Sequence, residues 1–195
     1  MLHFTDEELA RRAGEGHISC FEEILSRYRS RVFRLCLRWA GNRDDAEDWA
    51  QECFVRAFGQ LGRYDCNLPF APWLLRLTTN TCINLAKARS RHTTRCEALD
   101  EYDWEDEGIP THAPLESADE ARRVRSAVQV LPANLRAAIL LRFVEELSFR
   151  EISEVLGVPL QTVVTRCKRA VEMVRQNFER EEEQTRIRSR KEVRR

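Results

Sequence analysis

Between Phe21 and Trp39 the apolar residues Phe21, Ile24, Leu25, Tyr28, Val32, Leu35, Cys36 and Trp39 recur at steps of three and four. That spacing lines one face of an α-helix, and a strand, with its period of two, cannot bury it. The same step returns in Ala46, Ala50, Cys53, Phe54, Ala57 and Leu61, then in Leu74, Leu77, Cys82 and Leu85. It returns again in Val124, Ala127, Val128 and Leu131, and in Phe149, Ile152, Val155 and Leu156. Glycine and proline interrupt it at Gly14, Gly16, Gly41, Gly62, Pro69, Pro72, Pro132 and Gly157. The chain is therefore expected to be all-α, with turns at those positions. At 195 residues it fits one domain or two small ones.

Start and stop signals frame the helices. Thr5-x-x-Glu8, Ser19-x-x-Glu22 and Asp44-x-x-Glu47 each have the form of a capping box. Gly41 suits the left-handed position after a helix, and Pro72 suits a first turn. The pattern fails from Cys96 to Glu120, where prolines and acids leave little to bury. The expected division is a helical domain over residues 1–95, a flexible acidic linker over 96–120, a second helical domain over 121–178 and a charged tail over 179–195.

Charge is neutral in sum and segregated in place. The chain has 32 basic and 32 acidic residues. Ten acids and no Lys or Arg lie between Glu97 and Glu120, while four cations and no acid lie between Ala86 and Arg95. No apolar run approaches the roughly 18 residues of a membrane span. The start "MLHFTDEELARR" lacks the form of a signal peptide. A cytoplasmic protein is expected. Its seven cysteines, Cys20, Cys36, Cys53, Cys66, Cys82, Cys96 and Cys167, include no CxxC pair. In a reducing compartment they read as small buried hydrophobes. His92 and Cys96 stand four apart without a second pair, so no metal is expected. The four histidines lack a partnered nucleophile or carboxylate motif, and neither catalysis nor a cofactor is expected.

The segment "FREISEVLGVPLQTVVTRCKRA" reads as helix, sharp turn at Gly157, and second helix. Val163, Cys167 and Ala170 would face inward. Gln161, Val164, Thr165, Lys168 and Arg169 would face outward, with Arg166 at the margin. The second helix of such a motif lies in a major groove, its polar side chains on base edges and phosphates. By periodicity alone, a helical hairpin with a solvated basic face remains equally open.

The segment "LPANLRAAILLRFVEELSFREISEVLGVPLQTVVTRCKRAVEMVR" resembles the C-terminal promoter-reading domain of bacterial RNA polymerase sigma subunits, in the extracytoplasmic-function group of the sigma-70 superfamily. "DDAEDWAQECFVRAF" and "PWLLRLTTNTCINLAKARSR" resemble the N-terminal domain of the same group. This resemblance implies a non-catalytic subunit that directs initiation from −35 and −10 elements. Asp45, Asp48, Gln51 and Glu52 would meet the clamp helices of the polymerase's largest subunit. Tyr64, Asp65, Asn67, Phe70, Asn80, Asn84, Lys87, Arg89 and Arg91 would hold the opened −10 element. Gln161, Thr162, Val164, Thr165, Arg166, Lys168 and Arg169 would read the −35 element, near the flap of the second-largest subunit. An anti-sigma factor is an implied partner beside core polymerase and promoter DNA. Departures from the group's usual residues fall at Trp49, Asn84, Lys87, Val164 and Cys167. Two rivals of other classes are a dimeric helix-turn-helix regulator and a helical decoy that binds polymerase or an anti-sigma protein. Initiation by purified core polymerase separates the three.

Overall fold

The computed structural model describes residues 4–93 and 118–192, with side chains over 4–89 and 122–180. Every regular element among the described residues is helical. The N-terminal set is α1 (Asp6–Gly14), α2 (Ile18–Ala40), α3 (Arg43–Gln60), a short 3-10 turn (Leu61–Arg63) and α4 (Phe70–Thr93). The C-terminal set is α5 (Ala118–Gln129), α6 (Ala133–Phe143), α7 (Phe149–Leu156) and α8 (Leu160–Glu192). Most of the stretch assigned to the acidic linker lies outside the described residues. α5 begins at Ala118, upstream of the expected start at Ala121, and α8 runs through most of the charged tail.

Helix ends follow local chemistry, and not always the expected residues. The Thr5 hydroxyl accepts from the Glu8 amide at 3.2 Å, capping α1 as expected. Ser19 caps nothing: α2 starts at Ile18 behind His17, which makes no side-chain cap bond. Gly16, at φ 100°, has already turned the chain. α3 is capped by Asn42, whose Oδ1 accepts from the Asp45 amide at 2.9 Å, so Asp44 falls inside the helix. Gly41 closes α2 in the left-handed conformation at φ 81°, which puts Asn42 next in line for the cap.

α2, α3 and α4 pack around Ile24, Leu35, Cys36, Ala46, Cys53, Phe70 and Cys82, each at 0% exposure. The helix-turn-helix has a small core of its own from Ala138, Leu141, Ile152, Val155, Val163 and Cys167. The two sets also close on each other. α2 meets α5, and α4 meets α6 and α7. The last turn of α2 shows what holds that junction. A helix leaves its final carbonyls without internal partners. Here the Leu37 carbonyl accepts from the Gly41 amide at 2.9 Å and the Ala40 carbonyl from Arg89 at 3.0 Å. The Arg38 carbonyl accepts from Gln129 at 3.0 Å, and the Trp39 carbonyl from Arg136 at 3.3 Å. The C-terminal set thus completes the cap of an N-terminal helix. Arg136 also sits over the Trp39 ring, 5.4 Å from its centroid. Burial pushes its guanidinium down to about 10, an effect that its position at the negative end of α2 opposes. Arg31 and Glu145 add an ion pair across the junction at 2.6 Å, with the Glu145 side chain only 6% exposed.

Candidate functional site

The acidic face of α3 is sorted by depth. Ala46, Trp49, Ala50, Cys53 and Ala57 are buried. Asp48 and Gln51 are exposed, and Glu52, half-exposed, pairs with Arg56 one turn on at 2.6 Å. Val55 extends this strip at 61% exposure. Asp45, at the start of the same helix, is partnered within the chain. Its Oδ2 accepts from Arg89 at 2.6 Å and from Asn42 at 2.7 Å, which ties the start of α3 to the end of α4. A strip of two acids, an amide and an exposed valine suits a protein partner with basic and apolar surface.

The loop between the 3-10 turn and α4 divides the expected −10 residues into anchors and tip. Phe70 is 0% exposed and Tyr64 7%. Their rings meet edge-on at 5.5 Å, with Tyr28 edge-on to Phe70 at 5.5 Å and Trp73 beside it at 5.4 Å. The Tyr64 hydroxyl donates to the Leu68 carbonyl, and burial pushes its phenol up to about 12. In this structure Phe70 and Tyr64 anchor the loop, and neither ring face is exposed. The Phe70 amide donates to Glu7 at 3.0 Å, so a carboxylate from α1 caps α4, a role absent from the sequence reading. That bond, first among several, holds the Glu7 carboxyl below its ordinary range. At the tip, Asp65 accepts from the Asn67 amide at 3.0 Å and side chain at 2.9 Å, forming a tight Asx turn. Leu68, at 57% exposure, completes the tip. The sequence reading passed over it, although a leucine between Asn67 and Pro69 belongs to no periodic face.

Asn80, Asn84 and Lys87 are exposed on one side of α4, one turn apart. Arg89 turns away from them toward Asp45 and the end of α2. Arg91 falls in the last described turn of α4, with its side chain outside the described set, as are the side chains of His92 and Cys96.

In the C-terminal set, Ser148 and Glu151 form a reciprocal capping box on α7, at 3.2 Å and 2.7 Å. Gly157, at φ 63°, makes the left-handed turn into α8. Val163, Cys167 and Ala170 are buried, which leaves Gln161, Thr165, Lys168 and Arg169 exposed and Thr162 and Val164 half-exposed. The Thr165 hydroxyl donates back to the Gln161 carbonyl at 2.8 Å. Arg166 faces α4. It lines a cleft of about 330 Å³ with Asn80, Ile83, Lys87, Asn134 and Leu156. Residues expected to read two separate promoter elements therefore meet at one cleft.

Two family models match, in order: Sigma-70 region 2 over residues 24–92 and Sigma-70 region 4 over residues 121–174. The ECF RNA polymerase sigma factor SigW of Bacillus subtilis is 30% identical over 171 residues, 84% of this chain and 91% of the relative. The ECF RNA polymerase sigma-E factor of Haemophilus influenzae is 32% identical over 178 residues, 87% of this chain and 93% of the relative. Among solved structures, CnrH in complex with the cytosolic domain of CnrY matches with a TM-score of 0.64 at 23% identity. That match covers 89% of this chain and 97% of the other. The sigma factor RpoE of Bartonella quintana, solved with the anti-sigma factor NepR, matches with a TM-score of 0.60 at 20% identity. It covers 82% of this chain and 96% of the other. These two structures share the fold. With both region models in order and relatives at this identity over most of its length, the chain belongs to the sigma-70 family as an ECF sigma factor, a non-catalytic subunit that directs promoter recognition.

Proposed function

We propose that the chain holds core RNA polymerase through the outer strip of α3, with Asp48, Gln51, Glu52 and Val55 against the clamp helices of the largest subunit. Residues 1–95 then present Asp65, Asn67 and Leu68 at the loop tip, and Asn80, Asn84 and Lys87 on α4, to the opened −10 element. Residues 121–178 place α8 in the major groove of the −35 element near the flap of the second-largest subunit. Gln161, Thr162, Val164 and Thr165 meet base edges there, while Lys168 and Arg169 meet phosphate. Arg166 joins them once α8 leaves α4. Arg89 and Asp45 keep the scaffold in register. The observation that carries this reading is the split on α8, whose exposed polar side chains stand directly behind Val163, Cys167 and Ala170 in the core.

An anti-sigma factor is the proposed regulator. Two structural neighbours were solved with partners, one of them named an anti-sigma factor, and the strip on α3 would be its natural target. Fluorescence titration of the chain with purified core polymerase tests the polymerase contact. A Asp48→Ala/Glu52→Ala double variant should weaken binding at least tenfold while leaving the melting midpoint unchanged. Unchanged affinity would move the contact elsewhere.

A further inference from the structure

Cys36, Cys53 and Cys82 come from α2, α3 and α4 and meet at one point in the N-terminal core. The Cys36 sulfur is 4.0 Å from that of Cys53 and 3.8 Å from that of Cys82. All three sulfurs lie within 4.8 Å of one another, and each residue is at 0% exposure. Thiolates bound to one centre by bonds of about 2.3 Å stand roughly 3.4–3.8 Å apart, the shorter value for a three-coordinate pyramid and the longer for a tetrahedron. The trio therefore already has nearly the spacing of a ligand set. Thr78 lies beside it: the Cys53 thiol donates to the Thr78 carbonyl at 4.0 Å, and the Thr78 side chain is fully buried.

The chemistry of the surroundings selects the occupant. Among the described residues no His, Asp or Glu joins the group, so there is no fourth strong ligand for zinc. Thiolates favour soft centres. The site is enclosed in an apolar core, where net charge is costly. Three thiolates around a trivalent centre carry no net charge, whereas a monovalent or divalent ion would leave the cluster anionic. We propose that Cys36, Cys53 and Cys82 form a three-thiolate site for a trivalent thiophilic metalloid of the arsenite class. With arsenous acid, three As–S bonds form and three As–O bonds break. Each thiol proton leaves with a hydroxide as water, and no electrons are transferred. The product ties α2 and α4 to α3, the helix that carries the polymerase strip. Because the thiols are enclosed, loading requires α4 to lift locally from α2 and α3, and it is slow.

Native mass spectrometry of the reduced full-length protein with sodium arsenite tests this, both on the folded protein and after refolding with arsenite present. The expected result is one arsenic per chain with three protons displaced and no hydroxyl retained, together with a raised melting midpoint. The adduct should persist in a Cys20→Ser/Cys66→Ser/Cys96→Ser/Cys167→Ala variant and disappear in Cys53→Ala and Cys82→Ser. Far-UV circular dichroism checks that the single variants fold. Should they fail to fold, the fourfold variant decides, since loss of the adduct there assigns binding to other thiols. No adduct under either condition, an adduct that keeps a hydroxyl, or one that survives in folded Cys53→Ala would overturn the proposal. Zinc bound in the same cluster in preference to arsenite would do so as well.

Discussion

Phe70 shows why a residue's role is hard to read from its neighbours in sequence. "RYDCNLPFAP" has the composition of a loop, and an aromatic residue in a nucleic-acid-binding loop invites a stacking role. The rings and carboxylate that surround Phe70 come from elsewhere: Tyr28 from α2 and Glu7 from α1. Nothing local to the loop announces either. A buried ring predicts a large stability cost, so Phe70→Ala should lower unfolding free energy by about 3–5 kcal/mol in urea titration. A ring waiting for a base would leave stability unchanged. Glu7 supplies a pH-dependent prediction. Its folded-state pKa lies below the ordinary carboxylate value, so its contribution is complete above that value and lost as pH falls through the lowered one. Acid should therefore loosen the start of α4 in the native chain. Glu7→Gln, which cannot ionise, should flatten the stability profile over that window and be less stable than the parent at neutral pH.

At the scale of elements, helix existence was legible and helix entry less so. The step of three and four put α2, α3, α4 and α7 where they occur, because an apolar stripe has no other use in this chain. Gly41 and Gly157 were legible for the same kind of reason: both adopt positive φ, which other residues resist. The capping boxes fared worse. Ser19 and Asp44 have the right residues at the right spacing but lie inside helices that had already begun. Ser148 and Glu151 have the same pattern, and here the box forms. The difference lies in where the preceding turn ends. The inward set on α8 was also legible, since Val163, Cys167 and Ala170 repeat the helical step. Arg166 was not, because its place depends on how α4 packs. Electrophoretic titration of holoenzyme on promoter DNA separates the proposed roles on α8. Gln161→Ala should cost about 1–3 kcal/mol and relax preference at one base pair. Lys168→Ala should weaken binding evenly across sequences and reduce the salt slope by about one.

The whole molecule is closed, and this could not be read from sequence at all. The two helical sets each have a pattern of their own, and no motif encodes their meeting. Yet Gln129 and Arg136 cap α2, Arg31 pairs with Glu145, and Arg166 shares a cleft with Asn80 and Lys87. On the proposed reading, binding two separated promoter elements would part that junction. Opposite charges meet across the junction at Arg31 and Glu145, and polymerase binding would supply competing surfaces. Arg31→Glu places like charges together at the junction. It should increase the radius of gyration in small-angle scattering, and the swap Arg31→Glu/Glu145→Arg should restore the closed value. An unchanged radius in the single variant would show that the pair does not hold the sets together. Promoter-directed initiation is tested by mapping transcript 5′ ends with purified core polymerase, this chain and a library of promoter fragments. Discrete starts are expected downstream of one shared pair of −35 and −10 elements, lost with core polymerase alone and in the Asp48→Ala/Glu52→Ala variant. Tight binding to core polymerase with no new starts would contradict it.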